Sequence, residues 1–195
     1  MSNIIDIDTL LINKAVNRAI RYANKLVNTH TITCTKIPKE NKHPFYVANK
    51  PPPSLEIIKK NGINCAGFIN LIRRHMNLEI PGIITGEKKS IFPGGTGEWF
   101  GYLKKEKRLE KIDYDKTYPK GTLLLEDYNP NNHGHLAMVY TSNKKGLLNS
   151  KIIHTRWESH IKKVQIDYFY DYTYKNEINK RFTHVCYPED WLIKN

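Results

Sequence analysis

Apolar residues recur at intervals of three and four near the start of the chain, a spacing that predicts an amphipathic helix over about residues 9–28. The apolar stripe consists of Ile12, Ala15, Val16, Ala19, Ile20, Ala23, Leu26 and Val27. Asp8 stands just before the stripe, where its carboxylate can accept hydrogen bonds from the first turn, and it is predicted as the N-cap. We expect this helix to pack its stripe on the core.

A second apolar stripe predicts a helix that begins near Asn64 or Cys65 and ends before Pro81 and Gly82. Its members are Cys65, Phe68, Ile69, Ile72 and Met76. Between the two helices, residues 29–60 carry turn-forming residues and three consecutive prolines. Proline removes a backbone donor and disrupts a helix interior, so this stretch is predicted as an ordered loop that wraps the site.

A glycine-rich turn at residues 92–97 leads into aromatic residues, and a further helical turn is predicted at residues 99–103. From Gly121 onward the pattern changes to short apolar runs and alternation, which is typical of strands. Five strands are predicted, at Thr122–Glu126, His135–Tyr140, Lys151–His154, Val164–Tyr170 and Thr183–Tyr187.

Helices followed by strands at hairpin spacing indicate an α+β fold, with N-terminal helices packed on an antiparallel sheet of about five strands. The length of 195 residues fits a single domain with a hydrophobic core. We divide it into an N-terminal helix and wrapping loop (1–60), a helix with a glycine and aromatic segment (61–105), and a β-sheet (118–190).

The charge adds a candidate class of partner. Lysine and arginine total 31 against 19 acidic residues, a formal net charge of +12, which favours nucleic acid, anionic lipid or an acidic polymer. The basic residues are nevertheless spread along the chain in pairs such as Lys59-Lys60, with no block of five or six. We therefore expect nonspecific attraction to polyanions rather than a specific nucleic-acid site.

Neither an export signal nor a membrane segment is predicted. Acidic residues stand near the N-terminus, where a signal peptide carries basic ones, and no apolar run approaches the roughly 20 residues that span a bilayer. The cysteines Cys34, Cys65 and Cys186 are odd in number and widely spaced, without a metal-type pair. We expect a reduced, cytoplasmic setting and no metal or other cofactor.

Candidate chemistry begins at Cys65, at the predicted start of a helix. Backbone N–H groups and the helix dipole stabilise a thiolate there, and a neighbouring imidazolium stabilises it further. Two strand histidines follow, of which His135 is predicted to take the thiol proton and His154 to orient His135. The alternative is that Cys65 is a small buried hydrophobe and both histidines are satisfied core residues.

Other histidines compete for these roles. His133 lies two residues before His135 and would share its face if the strand already runs there. His160 competes with His154 for the orienting role. A metal site formed by His133, His135 and His154 is a further alternative. Apart from Cys65, no carboxylate or thiolate is an obvious additional ligand for it.

Aromatic residues after the glycine-rich turn are candidates for the walls of a substrate pocket, with a position in the core as the alternative. They are Trp99, Phe100 and Tyr102.

The segment around the cysteine, Asn-Cys-Ala-Gly-Phe-Ile at residues 64–69, resembles the Asp-Cys-Ser-Gly-Phe/Leu-Val motif of the NlpC/P60 cysteine peptidases of the papain-like superfamily. Residues 120–125, 135–140 and 152–155 are similar to three strands of that family, Gly-Asp-Leu-Val-Phe-Phe, His-Val-Gly-Ile-Tyr and Phe-Ile-His-Ala. The likeness is strongest to uncharacterised members from large DNA viruses. Residues 134–137 are also similar to the related CHAP amidases.

The resemblance implies a papain-like core and a cysteine peptidase or amidase with Cys65 as nucleophile, His135 as base and His154 as the third polar residue. It implies in addition a tyrosine beside the site, for which Tyr46 in Pro44-Phe45-Tyr46 is the nearest match. If the chain is viral, the host cytoplasm or the virion is the expected location.

Three features depart from the family pattern. Asn64 replaces the Asp before the cysteine and Ala66 replaces the Ser after it, while the Trp-Gly-Gly element that usually precedes the cysteine is absent. Asn still caps a helix, so the expected setting of the nucleophile is kept. Bacterial members usually carry export signals and wall-binding modules, neither of which is found here, so peptidoglycan is a doubtful substrate.

The leading hypothesis is hydrolysis of an amide bond, peptide or isopeptide, through a Cys-His-His triad. An acyltransferase or thioesterase with the same Cys-His pair is an alternative, but in the permuted lipid-acting relatives the histidine precedes the cysteine, whereas Cys65 here precedes His135. A non-catalytic basic binding protein is the third alternative.

Overall fold

Helices pack on both faces of a six-stranded antiparallel sheet. The computed structural model describes residues 7–32, 51–81, 94–126, 134–156, 161–173 and 182–193. Its helices are α1 (Ile7–Leu26), α2 (Leu55–Asn61), α3 (Cys65–His75), α4 (Thr96–Lys105), α5 (Phe169–Thr173) and α6 (Pro188–Trp191). Its strands are β1 (Glu110–Lys111), β2 (Leu123–Leu125), β3 (Leu136–Thr141), β4 (Lys151–Thr155), β5 (Val164–Tyr168) and β6 (His184–Cys186). The strand order is β1-β6-β2-β3-β4-β5.

The predicted α+β class is confirmed, as are the two amphipathic helices and the positions of the five strands. The helical turn predicted at 99–103 is part of the longer α4. Four predictions of local structure are wrong. Asp8 lies in the first turn of α1, which begins at Ile7, and is not its N-cap. Residues 55–61 form α2 instead of a loop, β1 adds a sixth strand, and Phe169 and Tyr170 begin α5 instead of extending β5.

The missed helix α2 begins immediately after the three prolines. Ser54 caps it by accepting a hydrogen bond from the backbone N–H of Ile57, at 3.4 Å. The prolines therefore precede the helix and do not interrupt it. Ile58 is the buried residue of α2. A helix with one buried position shows little apolar periodicity in its sequence.

Alternation along the strands divides the core into two layers. One face of the sheet packs on α1 and α3 and includes Leu123, Leu125, Leu136, Met138 and Ile153. The other face carries Leu124, Ala137, Val139, Ile152 and Val185, and is covered by Tyr118, Phe169, Tyr172 and Phe182. Small residues on α1, Ala19 and Ala23, are fully buried in the first layer. Each face of the sheet is therefore shielded, and polar groups within either layer need partners.

The strand register brings the predicted histidines together. Ala137 of β3 lies opposite His154 of β4, and His154 in turn lies opposite Gln165 of β5. Because residues two apart on a strand share a face, His135 and His154 project from the same side of the sheet. Within the described ranges, no helix combines the length and apolarity that a membrane span needs.

Candidate active site

Cys65 is the first residue of α3 and is half-buried. The side chain of Asn64 caps this helix by accepting a hydrogen bond from the backbone N–H of Gly67, at 2.7 Å. The cap fixes the direction of the first turn, so backbone N–H groups and the positive end of the helix dipole lie beside the thiol. The N-terminal position predicted for Cys65 is confirmed.

Thr96, which the sequence analysis did not single out, lies beside the cysteine. Its Oγ1 is 3.7 Å from the Sγ of Cys65. Thr96 is buried and is itself the first residue of α4, so the N-termini of two helices meet at the sulfur. The positive ends of both helix dipoles are therefore directed toward the sulfur.

Hydrogen bonds between α3 and the start of α4 hold this junction together. Asn70, buried on α3, donates from Nδ2 to the carbonyl oxygen of Gly94 at 2.9 Å, and its Oδ1 accepts from Nε1 of Trp99 at 2.8 Å. Both functions of the Asn70 amide are thereby used. The hydrogen bond between Asn70 and Gly94 joins residues 24 positions apart in the chain. The periodicity of the sequence therefore could not predict it.

Gly134 connects the cysteine side of the site to strand β3. It has φ +65°, and a Cβ built on it would lie 2.7 Å from Cγ2 of Thr96. A side chain here would have to displace Thr96 and adopt a disfavoured left-handed backbone. The residue before His135 is therefore in close contact with the residue beside Cys65.

His135 and His154 form a hydrogen-bonded pair, with Nε2 of His135 3.4 Å from Nδ1 of His154. Both are buried, and the two rings are nearly perpendicular. Tyr172 packs on His154 with ring centroids 4.2 Å apart. The predicted proximity of the two histidines is confirmed, but it is equally a feature of the core alternative.

Asp167 extends the chain of hydrogen bonds, a role that the sequence analysis missed. Its Oδ2 lies 3.0 Å from Nε2 of His154 and 3.5 Å from Nη1 of Arg156, and it also accepts from Nε2 of Gln165. Partial burial alone would raise the pKa of Asp167. The hydrogen bonds from His154 and Gln165, together with the charges of His154 and Arg156, outweigh burial and hold the pKa below its ordinary value.

These contacts assign the protons of the two imidazoles. Asp167 is ionised and can only accept, so Nε2 of His154 carries a proton. In the neutral form of His154, Nδ1 is the ring nitrogen left to accept a hydrogen bond. Nε2 of His135 is then the donor to His154, which makes Nδ1 the basic nitrogen of His135.

Cys65 borders one layer of the core, whereas the histidine pair contacts aromatic residues of the other layer. Leu136 projects toward α3, and Cys65 borders that layer of the core. His135 projects from the other face, where its ring centroid lies 5.7 Å from that of Phe182. Within the described ranges, the sulfur contacts the hydroxyl of Thr96, and no hydrogen bond joins it to either imidazole.

The predicted pocket walls lie in or against the core. Trp99 is fully buried and Phe100 nearly so, with the Phe100 ring edge-to-face against His184. Tyr102 is half-buried at the margin of the same layer. These positions correct the pocket prediction for Trp99 and Phe100, since a buried ring offers no surface to a substrate.

Three residues named from the sequence, Tyr46, His133 and His160, lie outside the described residues. The competition of His133 for the role of base and the metal alternative therefore stay predictions. In the part of the chain that the structure describes, no group of three His, Cys, Asp or Glu side chains is arranged to hold a metal ion.

Comparison of the chain with protein-family models and with curated proteins gives no match in either case.

Proposed function

We propose that the protein is a cysteine hydrolase that cleaves amide bonds, with Cys65 as nucleophile, His135 as general base and His154 as the residue that orients it. The observation that carries this proposal is the hydrogen-bonded chain from His135 through His154 to Asp167. A partly buried carboxylate that fixes the tautomer of a histidine is an arrangement that supports general-base catalysis.

In this mechanism, Nδ1 of His135 takes the proton of the Cys65 thiol, and the resulting thiolate attacks the carbonyl carbon of the substrate. The backbone N–H of Cys65, at the N-terminus of α3, donates to the oxyanion that develops. His135 then returns the proton to the leaving amine, which departs as the acyl-enzyme forms. His135 then takes a proton from water, which attacks the acyl carbon; the carbon–sulfur bond breaks, the carboxylic acid leaves, and the proton returns to the sulfur to regenerate the thiol.

Catalysis requires Nδ1 of His135 to come within hydrogen-bond distance of the sulfur. Gly134, the residue before His135, packs against Thr96, and the hydroxyl of Thr96 lies 3.7 Å from the sulfur, so these contacts connect the two sides of the site. Catalytic hydrogen bonds in unliganded enzymes are often open and close only with substrate. Binding of a substrate between α3 and the start of β3 is the event that we expect to close this one.

We further propose a papain-like core of the NlpC/P60 type. A helix that begins at the cysteine, followed in the chain by antiparallel strands that carry the two histidines, agrees with the order of elements in that family. The motif around Cys65 and the strand beginning at His135 support the same assignment.

Turnover assays with a panel of fluorogenic peptide amides and a panel of acyl thioesters test the function. We expect amide hydrolysis by the wild type and a loss of at least about a thousandfold in Cys65→Ala and His135→Ala. His30→Gln changes an exposed histidine outside the site and is the matched control. Turnover of thioesters alone would favour the acyl-transfer alternative, and amide turnover that survives Cys65→Ala would contradict the proposal.

A further inference from the structure

The outward face of α1 carries four cations at helical spacing. They are Lys14, Arg18, Arg21 and Lys25, all exposed, and we call them the basic stripe. Their intervals of four, three and four place them on one side of the helix, opposite the buried Val16, Ala19, Ile20 and Ala23. Along the axis the stripe is about 16 Å long. In the linear sequence these residues are separated by two or three others, and the helix brings them onto one face.

Along α1 itself, the basic stripe has little acidic charge beside it. Between residues 9 and 39 the sequence contains no Asp or Glu, and Asp8 is the single carboxylate of α1. His75, at the end of α3, adjoins the stripe, since Arg18 donates from Nη2 to its carbonyl oxygen at 2.7 Å. Burial lowers the pKa of His75, and the charges of Arg18 and Lys25 lower it further, as expected beside a positive surface.

The same face of α1 begins with exposed aliphatic side chains. Ile7, Leu10 and Leu11 are 74%, 45% and 52% exposed, and we call them the apolar tip. By helical spacing Ile7 and Leu11 continue the line of the basic stripe, with Leu10 at its edge. Three large aliphatic side chains grouped at one end of a cationic face are unusual on a surface that has only to meet water.

We propose that this face of α1 docks the protein on an anionic membrane surface, with the basic stripe over lipid headgroups and the apolar tip inserted among the acyl chains. A helix with cations on its outward face and aliphatic residues beside them fits a lipid interface. Nucleic acid would match the basic stripe but gains nothing from exposed isoleucine and leucine, so the apolar tip decides between the two polyanions. The inference is independent of the catalytic proposal.

Flotation of the full chain with phosphatidylcholine vesicles, with and without phosphatidylserine, tests the docking surface. We expect binding only when phosphatidylserine is present, and weakening as salt is raised. Lys14→Glu/Arg21→Glu should reduce binding about tenfold or more. Lys144→Glu/Lys145→Glu makes the same change in net charge in an exposed turn and should bind like the wild type.

The apolar tip is tested by Leu10→Ser/Leu11→Ser, which should also weaken flotation by about tenfold. Circular dichroism melting curves of each variant show that the fold is kept, since every substituted side chain is exposed. Cys65→Ala should float like the wild type, which separates this result from catalysis. Equal binding by the stripe and control variants, flotation indifferent to the tip, or a shift of duplex DNA without vesicle binding would each overturn the proposal.

Discussion

Asp167 sets the direction of the hydrogen bond between the two buried histidines. Its carboxylate holds a proton on Nε2 of His154, and in the neutral form of His154 that proton decides which nitrogen of His135 is basic. Arg156 and Gln165 keep the carboxylate ionised and in place. Asp167 is a positioning residue, because it acts on the substrate only through the two imidazoles.

Asp167→Asn should lower kcat by about ten- to a hundredfold while KM changes little, because an amide can present its N–H to His154 and reverse the tautomer of the pair. The measurement is steady-state kinetics on the best amide substrate. Asp115→Asn, an exposed aspartate, is the matched control. Equal losses in kcat and in folded fraction for Asp167→Asn would assign the residue to stability alone.

A second prediction concerns the side chain of Thr96. Its hydroxyl lies against the sulfur and its methyl against Gly134, so valine keeps the shape and removes the hydrogen bond. Thr96→Val should slow alkylation of Cys65 about fivefold, the worth of one net hydrogen bond, and Thr96→Ser should restore the rate. An unchanged rate in the valine variant would show that the hydroxyl does not stabilise the thiolate.

The first turn of α3 has two roles, since it contains the proposed nucleophile and its cap stabilises the helix. Asn64→Ala should reduce the free energy of unfolding by about 1 kcal/mol, and Asn64→Asp should not, since Asp also caps. Urea denaturation of both variants measures the difference. Equal losses in the two would mean that Asn64 acts through a contact other than the cap.

The junction of α4 with β3 gives another prediction. Gly134→Ala should cost about 1 to 3 kcal/mol of stability, because alanine at φ +65° is strained and its Cβ meets Thr96 at 2.7 Å. Ala137→Gly, a change of similar size further along β3, is the control for general loss of strand stability. A Gly134→Ala variant as stable as the wild type would contradict the close contact.

Much of the architecture could be predicted from the pattern of apolar residues, but only where an element is long enough to show a period. Helices α1 and α3 have continuous stripes. By contrast, α2 buries Ile58 alone, and β1 has two exposed residues. These short elements are stabilised by a cap or by a neighbouring strand, and neither gives a signal of its own in the sequence.

The candidate site likewise contains residues that the sequence predicts and residues that it does not. Cys65 and the two histidines could be predicted because residue type and local pattern mark them. Asp167 and Thr96 could not, since each becomes a neighbour only through tertiary contacts. Asp167 reaches His154 by the register of β5 on β4, and Thr96 reaches Cys65 by the packing of α4 on α3.

For the molecule as a whole, Asp167 links the site to acid stability. Its pKa is held below the ordinary value of 3.8, so its contribution to folding is complete above that value and is lost as pH falls through the lower folded-state pKa. In Asp167→Asn this part of the acid slope disappears. Denaturation curves between about pH 6 and about pH 3 should therefore show a smaller decrease in stability for the variant. Parallel decreases in the two proteins would contradict the assignment.

The central claim is that the thiol of Cys65 is activated by His135. The most direct measurement is the rate of iodoacetamide alkylation at each cysteine, followed by mass spectrometry at neutral pH in the folded Cys34→Ala protein and in the same protein with His135→Ala. Burial raises the pKa of the Cys186 thiol, so that cysteine is the slow internal reference. We predict that Cys65 reacts faster than Cys186 and that His135→Ala slows it about tenfold or more. A Cys65 that reacts no faster than Cys186, or whose rate is the same without the imidazole, would contradict the account.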